Sequence, residues 1–323
     1  MRVKDIVFDM ETGDPDDVLT LILLLGHPSV RLKAVTVTPG TPHQIGVVRE
    51  VLRRMGMSHL PVGAYNLDHM KAKGTSDEHY VTCVSGWHGK FLGEIDPSRE
   101  AEPGWKVLYQ NLGRDTHLVT GAPLKNLGAL LQRITPSLKH PEEFPAREGF
   151  EVNWTAQGGF AGEGVVPSEY QLDKFKGMVT CPTYNLNGDP KSALLALGSP
   201  WVGVRRFVSK NVCHGVVYDS TLHARVAGKI ASLPESPQRR SLELIYQGMS
   251  KYLEKSPKGK AFHDPLAACC VIDPEVGEWA GVQLYREKGG WGSRLASPSQ
   301  ANATIIVRYN HERFVQTLLD ERQ

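Results

Sequence analysis

Asp9-Met-Glu-Thr-Gly-Asp-Pro-Asp-Asp17 lies directly between the mostly apolar run Val3–Phe8 and the strongly apolar run Val18–Leu25. A short apolar run that stops abruptly at an acid reads as a buried parallel strand meeting its carboxyl edge. The second run ends at Gly26 and Pro28, both helix stop signals, so the unit is strand, acidic loop, helix. Outward from it the alternation continues. Leu32–Thr38 is rich in β-branched residues and predicts a strand, Val47–Met55 an amphipathic helix, and Leu60–Gly63 another short strand. His117–Thr120 and Leu124–Gln132 repeat the strand–helix pair, and Asp189–Leu197 opens with an acid and a proline as a helix start does. Trp201–Val208, Leu284–Trp291 and Ala303–Tyr309 predict strands; Ser241–Tyr252, Asp264–Cys270 and Glu312–Leu319 predict helices. The pattern predicts an α/β protein, a single open and mostly parallel sheet flanked by helices, with one domain over residues 1–323. Long loops at 66–105, 136–153 and 161–182 are where a binding site would be built.

Composition narrows the class. Hydrophobic residues are 41% and charged residues 22% of the 323, which excludes a disordered or collagen-like chain. Lys and Arg number 37 against 35 acids, a net charge of +2, so no electrostatic footprint points to nucleic acid or a membrane surface. No apolar stretch approaches the roughly 20 residues that span a bilayer. The stretch from Met1 to Asp9 does not read as a secretory leader, because its apolar run is short and meets an acid at once. Five scattered cysteines with no CxxC pair argue against a disulfide framework or a zinc knuckle. The expectation is a soluble, cytoplasmic, globular protein.

Five carboxylates, Asp9, Glu11, Asp14, Asp16 and Asp17, crowd into nine residues. Like charges a few ångströms apart raise one another's pKa, so such a loop calls for a cation. Carboxylate oxygens are hard ligands, which favours Ca²⁺ or Mg²⁺ over zinc or copper. The alternative is structural: Asp16 and Asp17 are also placed to cap the following helix and face its dipole.

The loop resembles the DxDxGxDD signature of the inosine-uridine-preferring nucleoside hydrolases, with one residue inserted. Other segments resemble that family's motifs in the same order: Pro61-Val-Gly63, Trp87-His-Gly89 with Leu92-Gly93, Gly121-Ala-Pro-Leu-Lys-Asn-Leu127, Gly158-Gly159, Asn185 with Asp189-Pro190, and His263-Asp-Pro-Leu266. The likeness spans nearly the whole chain and implies a nucleoside hydrolase-like, Rossmann-like fold that cleaves an N-glycosidic bond with Ca²⁺. It implies Glu11 as metal ligand and general base, with Asp14 as the alternative base given the insertion. Asp17, Asp264 and the Lys125 carbonyl would complete the metal set, and His263 would protonate the departing base. Asp16, Thr41, His88, Glu163, Thr183 and Asn185 would meet the substrate, with Asp9 supporting the loop from behind. The family tends to form dimers or tetramers, which makes a homo-oligomer the expectation.

The departures bear on the substrate. Glu11 stands where the family has Asp. Thr41, Glu163 and Thr183 replace an Asn, an Asn and a sugar-contacting Glu, so the expected substrate is a modified, deoxy or 5′-phosphorylated nucleoside. Trp87, Trp154 and Trp291 are candidate walls for a flat heterocycle, Trp87 foremost since it adjoins a motif. Cys213 reads as a buried structural thiol, and the Lys255–Lys260 region as a solvated basic surface. Two rival functions stay open: a nucleoside- or sugar-binding relative without turnover, and a Mg²⁺ phosphohydrolase of the haloacid dehalogenase type, whose first strand also ends in an acidic loop.

Overall fold

The computed structural model describes residues 3–66, 77–135 and 150–322. Its strands are β1 (Lys4–Met10), β2 (Val30–Val37), β3 (Val62–Ala64), β4 (Glu102–Pro103), β5 (Thr116–Thr120), β6 (Val152–Gln157), β7 (Thr180–Cys181), β8 (Val202–Val208), β9 (Val217–Tyr218), β10 (Lys260–Ala261), β11 (Gly277–Glu287), β12 (Gly290–Leu295) and β13 (Ala303–Tyr309). Eleven join one sheet in the order β4-β3-β2-β1-β5-β6-β8-β13-β11-β12-β7, and β9 and β10 pair separately. From β4 to β13 every neighbour is parallel. The pairs β13–β11, β11–β12 and β12–β7 are antiparallel.

Strand β1 is the topological centre. The chain runs from β1 outward through β2, β3 and β4, then returns to add β5 on the other side of β1. Reversal of strand order opens a crevice beyond the carboxyl ends of β1 and β5, the place where open α/β sheets bind ligands. The acidic loop leaves β1 at that point.

Helices cover both faces, as buried parallel strands require. Pro15–Gly26, Pro42–Arg54, Pro237–Leu253, His263–Ile272 and His311–Leu319 pack one apolar cluster with the sheet. Gly104–Asn111, Lys125–Ile134 and Pro190–Gly198 pack the other. Helix Pro15–Gly26 is buried from Asp16 to its end. It is clamped to Pro237–Leu253 at Gly26, where a Cβ would lie 2.2 Å from that of Ser241. The Ser241 hydroxyl donates to the Ile22 carbonyl at 2.7 Å, tying the two helices side by side.

The alternation of strands and helices matches the sequence expectation, with a few differences. The single strand expected over Leu284–Trp291 is a hairpin of β11 and β12, turned at Lys288 and Gly289, both at positive φ. Strand β6 and helix Ser220–Ser232 were not legible. Asn153 and Gln157 interrupt the apolar run of β6, and only Leu222 and Val226 of the helix are buried, too thin a stripe to read. Within the expected loops, Asp77–Cys83 and Gly89–Leu92 are helical and β7 closes the sheet edge; residues 67–76 and 136–149 of those loops lie outside the described residues. No helix among the described residues is long and apolar enough to cross a membrane.

Candidate active site

Four adjacent strands end at one cleft of about 430 Å³. The loop after β1 brings Glu11, Gly13, Asp14, Asp16 and Asp17; Gly121 follows β5, Gln157 ends β6, and Lys210 and His214 follow β8. The helix His263–Ile272 points its amino end at the same place, contributing His263 and Asp264.

Asp9, the penultimate residue of β1, is fully buried beneath the loop. Its Oδ1 accepts from the Thr36 hydroxyl at 2.6 Å and from Asn126 Nδ2 at 2.9 Å. Burial pushes its carboxyl up to about 7 against the pull of those two bonds. The loop then closes on itself, the Glu11 amide donating to Asp17 Oδ1 at 3.0 Å. The Glu11 carboxyl accepts from the backbone amides of Gly13 and Asp14, a fold-back that its extra methylene permits. Burial, with Asp14 and Asp16 nearby, raises Glu11 to about 7.

Asp16, Asp17 and Asp264 present carboxylate oxygens all within 4.8 Å of one another, and all three are buried. Asp16 is already compensated. Its Oδ2 accepts from the His263 and Asp264 amides at 2.9 and 3.2 Å, capping the helix His263–Ile272. Its Oδ1 faces Lys260 Nζ at 3.3 Å. Asp17 and Asp264 are not so compensated: burial first, then their acidic neighbours, raise both well above the ordinary carboxyl value. Asp264 Oδ1 has no hydrogen-bond partner among the described residues. A Cβ at Gly121 would sit 2.6 Å from Asp264 Oδ2, so only glycine leaves the carboxylate its room. Buried hard oxygens, an orphaned acceptor and a surplus of negative charge together fit a divalent cation such as Ca²⁺.

Lys260 corrects the sequence reading of a solvated basic surface. It is 5% exposed and pairs with Asp14 at 2.8 Å as well as with Asp16. Burial opposes its charge, yet Asp16 and Asp14 hold its pKa above the ordinary lysine value. No residue pattern announced it, because the pairing spans more than 240 positions.

The remaining expected residues divide. Thr183 and Asn185 line the cleft, Asn185 donating to the Gln157 carbonyl and side-chain oxygens at 3.0 and 2.7 Å. His263 lines it too; burial, then Lys260, pushes it down to about 4, so it is neutral at pH 7. Thr41 caps helix Pro42–Arg54 in a capping box with Gln44 and is not among the cleft-lining residues. His88 is buried behind the loop, its Nε2 against the Thr12 carbonyl at 2.8 Å, where it props the loop from outside the cleft. Glu163 is exposed and accepts from Gln171 at 3.2 Å. Lys125 opens helix Lys125–Ile134 and lines an adjacent cavity that shares Glu11 and Tyr184 with the cleft.

Of the three tryptophans, Trp154 and Trp291 are fully buried and Trp87 packs on Phe91, so none lines the cleft. The aromatic wall is Tyr184, 68% exposed, a residue the sequence did not single out although it stands between Thr183 and Asn185. Cys213 is buried and its thiol pushed up to about 12 by burial, as a structural cysteine should be.

A family model described as inosine-uridine preferring nucleoside hydrolase matches residues 6–316. An uncharacterized protein of Aquifex aeolicus is 26% identical over 299 residues, 90% of each chain. A pyrimidine-specific ribonucleoside hydrolase, RihA, of Shewanella baltica is 23% identical, covering 98% of this chain and 95% of its own. Among solved structures, the inosine-uridine preferring nucleoside hydrolase from Bacillus anthracis superposes with a TM-score of 0.63 at 16% identity, over 98% of both chains.

Proposed function

The chain belongs to the inosine-uridine preferring nucleoside hydrolase family, and on that premise we propose that this cleft hydrolyses the N-glycosidic bond of a nucleoside-like substrate with the help of Ca²⁺. Family membership sets aside the phosphohydrolase alternative. The observation that carries the reading is the orphaned Asp264 Oδ1 beside Asp17, buried at the mouth of a cleft large enough for a small ligand.

Glu11, Asp17 and Asp264 would hold the cation. Bound there, Ca²⁺ would lower the pKa of a water and draw sugar hydroxyls toward the loop. Glu11 is the group to take the water's proton, since its carboxylate lines the cleft in the same acidic loop as the cation ligand Asp17. The carboxylates also give negative charge to an oxocarbenium-like transition state. Asn185, steadied by Gln157, would orient the sugar, and Tyr184 offers an aromatic face to the base.

His263, which also lines the cleft beside His214, would hydrogen-bond the departing nucleobase. Because it is neutral at pH 7, its loss should cost less than loss of the base. Base release from inosine and uridine, followed by chromatography with Ca²⁺ or with chelator, tests this. Glu11→Gln should lower kcat by at least about 10³-fold, against about 10–10²-fold for His263→Ala. Asp264→Asn should abolish the Ca²⁺-dependent release. Ca²⁺ binding with no release from ribonucleosides, deoxynucleosides or their phosphates would leave the non-catalytic binding relative as the reading. A cytoplasmic setting and assembly into dimers or tetramers belong to the same proposal, the latter checked by sedimentation.

A further inference from the structure

The cleft is electrically polarised. Its loop wall is anionic, and its lining also carries Lys210 and His214, with Lys174 bonded to His214. Lys174 Nζ donates to His214 Nδ1 at 2.8 Å, and Lys210 Nζ donates to the Pro182 carbonyl at 2.9 Å. Both ammonium groups flank the Phe175 ring, at 5.2 and 5.8 Å from its centroid. A lysine has only donors, so His214 Nδ1 is the acceptor and the ring proton stands on Nε2. Three donor groups therefore converge with no acceptor of opposite charge. Among the described residues no carboxylate pairs with Lys174 or Lys210, whereas nearby Lys176 and Lys260 both have acidic partners. Thr183, next to the carbonyl that receives Lys210, is buried, and its Oγ1 has no partner.

From this placement we propose that the substrate carries a phosphate monoester, seated by Lys174, Lys210, His214 and the Thr183 hydroxyl. The inference rests on the hydrolase reading, whose substrate class it narrows. A phosphate monoester brings a charge of about −1.5 to −2 and three strong acceptor oxygens. Two unpaired ammonium groups, an imidazole N–H and a hydroxyl match that demand in charge and in donors. The carboxylate wall repels the same group. A phosphorylated substrate is thus held in one orientation, phosphate toward Phe175 and glycosidic bond toward Glu11 and Asp264.

The test compares uridine and inosine with their 5′-monophosphates, in Ca²⁺, for the wild type, Lys174→Ala, Lys210→Ala and Lys174→Arg. Higher kcat/KM for the monophosphates by at least about tenfold is expected, that ratio falling about tenfold in each alanine variant and returning in Lys174→Arg. Parent nucleosides cleaved as well as the monophosphates would overturn the phosphate subsite while leaving the hydrolase reading intact. If nothing is cleaved, calorimetry with ribose 5-phosphate and ribose decides. Tighter binding of the phosphate by at least about tenfold, lost in Lys210→Ala, supports the subsite without the activity, and equal binding overturns it.

Discussion

Asp264 and Gly121 show how much one residue's environment decides. An aspartate after a histidine at a helix start is an ordinary capping feature in sequence. Here the cap is supplied from elsewhere, by Asp16, whose Oδ2 takes both the His263 and Asp264 amides. Asp264 is thereby released from local duty, and its Oδ1 is left facing the cleft unpartnered. Gly121 keeps that carboxylate in place by having no side chain. In Gly121→Ala the new methyl would press on Asp264 Oδ2 and Cγ, at 2.6 and 2.7 Å. Displacing one ligand of a hard cation should weaken Ca²⁺ binding by at least about tenfold, read by isothermal titration. Unchanged affinity would remove Asp264 from the ligand set. Asp16 was also a candidate cap for the helix that follows it, but its carboxylate instead caps the distant helix His263–Ile272 and pairs with Lys260.

Among the elements, those whose stability is local were legible and those stabilised by remote contact were not. Strand β1 and helix Pro15–Gly26 stand out because their mostly apolar runs demand burial wherever they lie. Helix Ser220–Ser232 has a narrow buried edge, and β7 has two residues that exist as strand only through pairing with β12. The β11–β12 hairpin was read as one strand because its turn is short and flanked by strand-forming residues. Positive φ at Lys288 and Gly289 fits a tight two-residue connection. Gly289 has φ +82 and open space around its Cβ position, so its requirement is conformational alone. Gly289→Ala should cost about 1 kcal/mol in a denaturant titration, with no change in activity. A loss several times larger would mean that the turn is packed more tightly than its geometry indicates.

For the molecule as a whole, the buried acids tie stability to pH and to metal. Asp9 and Glu11 both have folded pKa values raised to about 7, against ordinary values near 4. Above their unfolded pKa they favour the folded state only while it keeps its protons. That contribution disappears as pH rises through 7. The buried histidines act oppositely but lower down: His88 and His263, both pushed to about 4, penalise folding only below the ordinary histidine value. Between pH 6.5 and 8.5 the carboxyls dominate. Metal-free protein should therefore lose stability from pH 6.5 to about 8, on the order of 1 kcal/mol for each of these two groups, the last part of a loss that begins at their ordinary values, seen as a falling Tm. Ca²⁺ should restore most of it at the upper end, where protons no longer compete for the site. A Tm that rises with pH, or ignores Ca²⁺ at pH 8.5, would contradict this account.

The sequence by itself determined the alternating α/β architecture, the acidic loop at the end of the first strand, and the family to which the chain belongs. The first two follow from neighbours along the chain, that is from apolar runs, stop signals and carboxylates too close together to stay unneutralised, and the third from the resemblance of several motifs in the family's order. Only the tertiary structure decided which acid is compensated and which is left open. Lys260 is brought to Asp14 and Asp16 by folding, and Asp16 reaches a helix whose first residue is 247 positions away. It also decided that Thr41 and His88 brace the scaffold, while Tyr184, Lys210 and His214 face the cleft. Charge compensation and cleft lining are properties of distance in space, and strands that are neighbours in a parallel sheet are far apart along the chain.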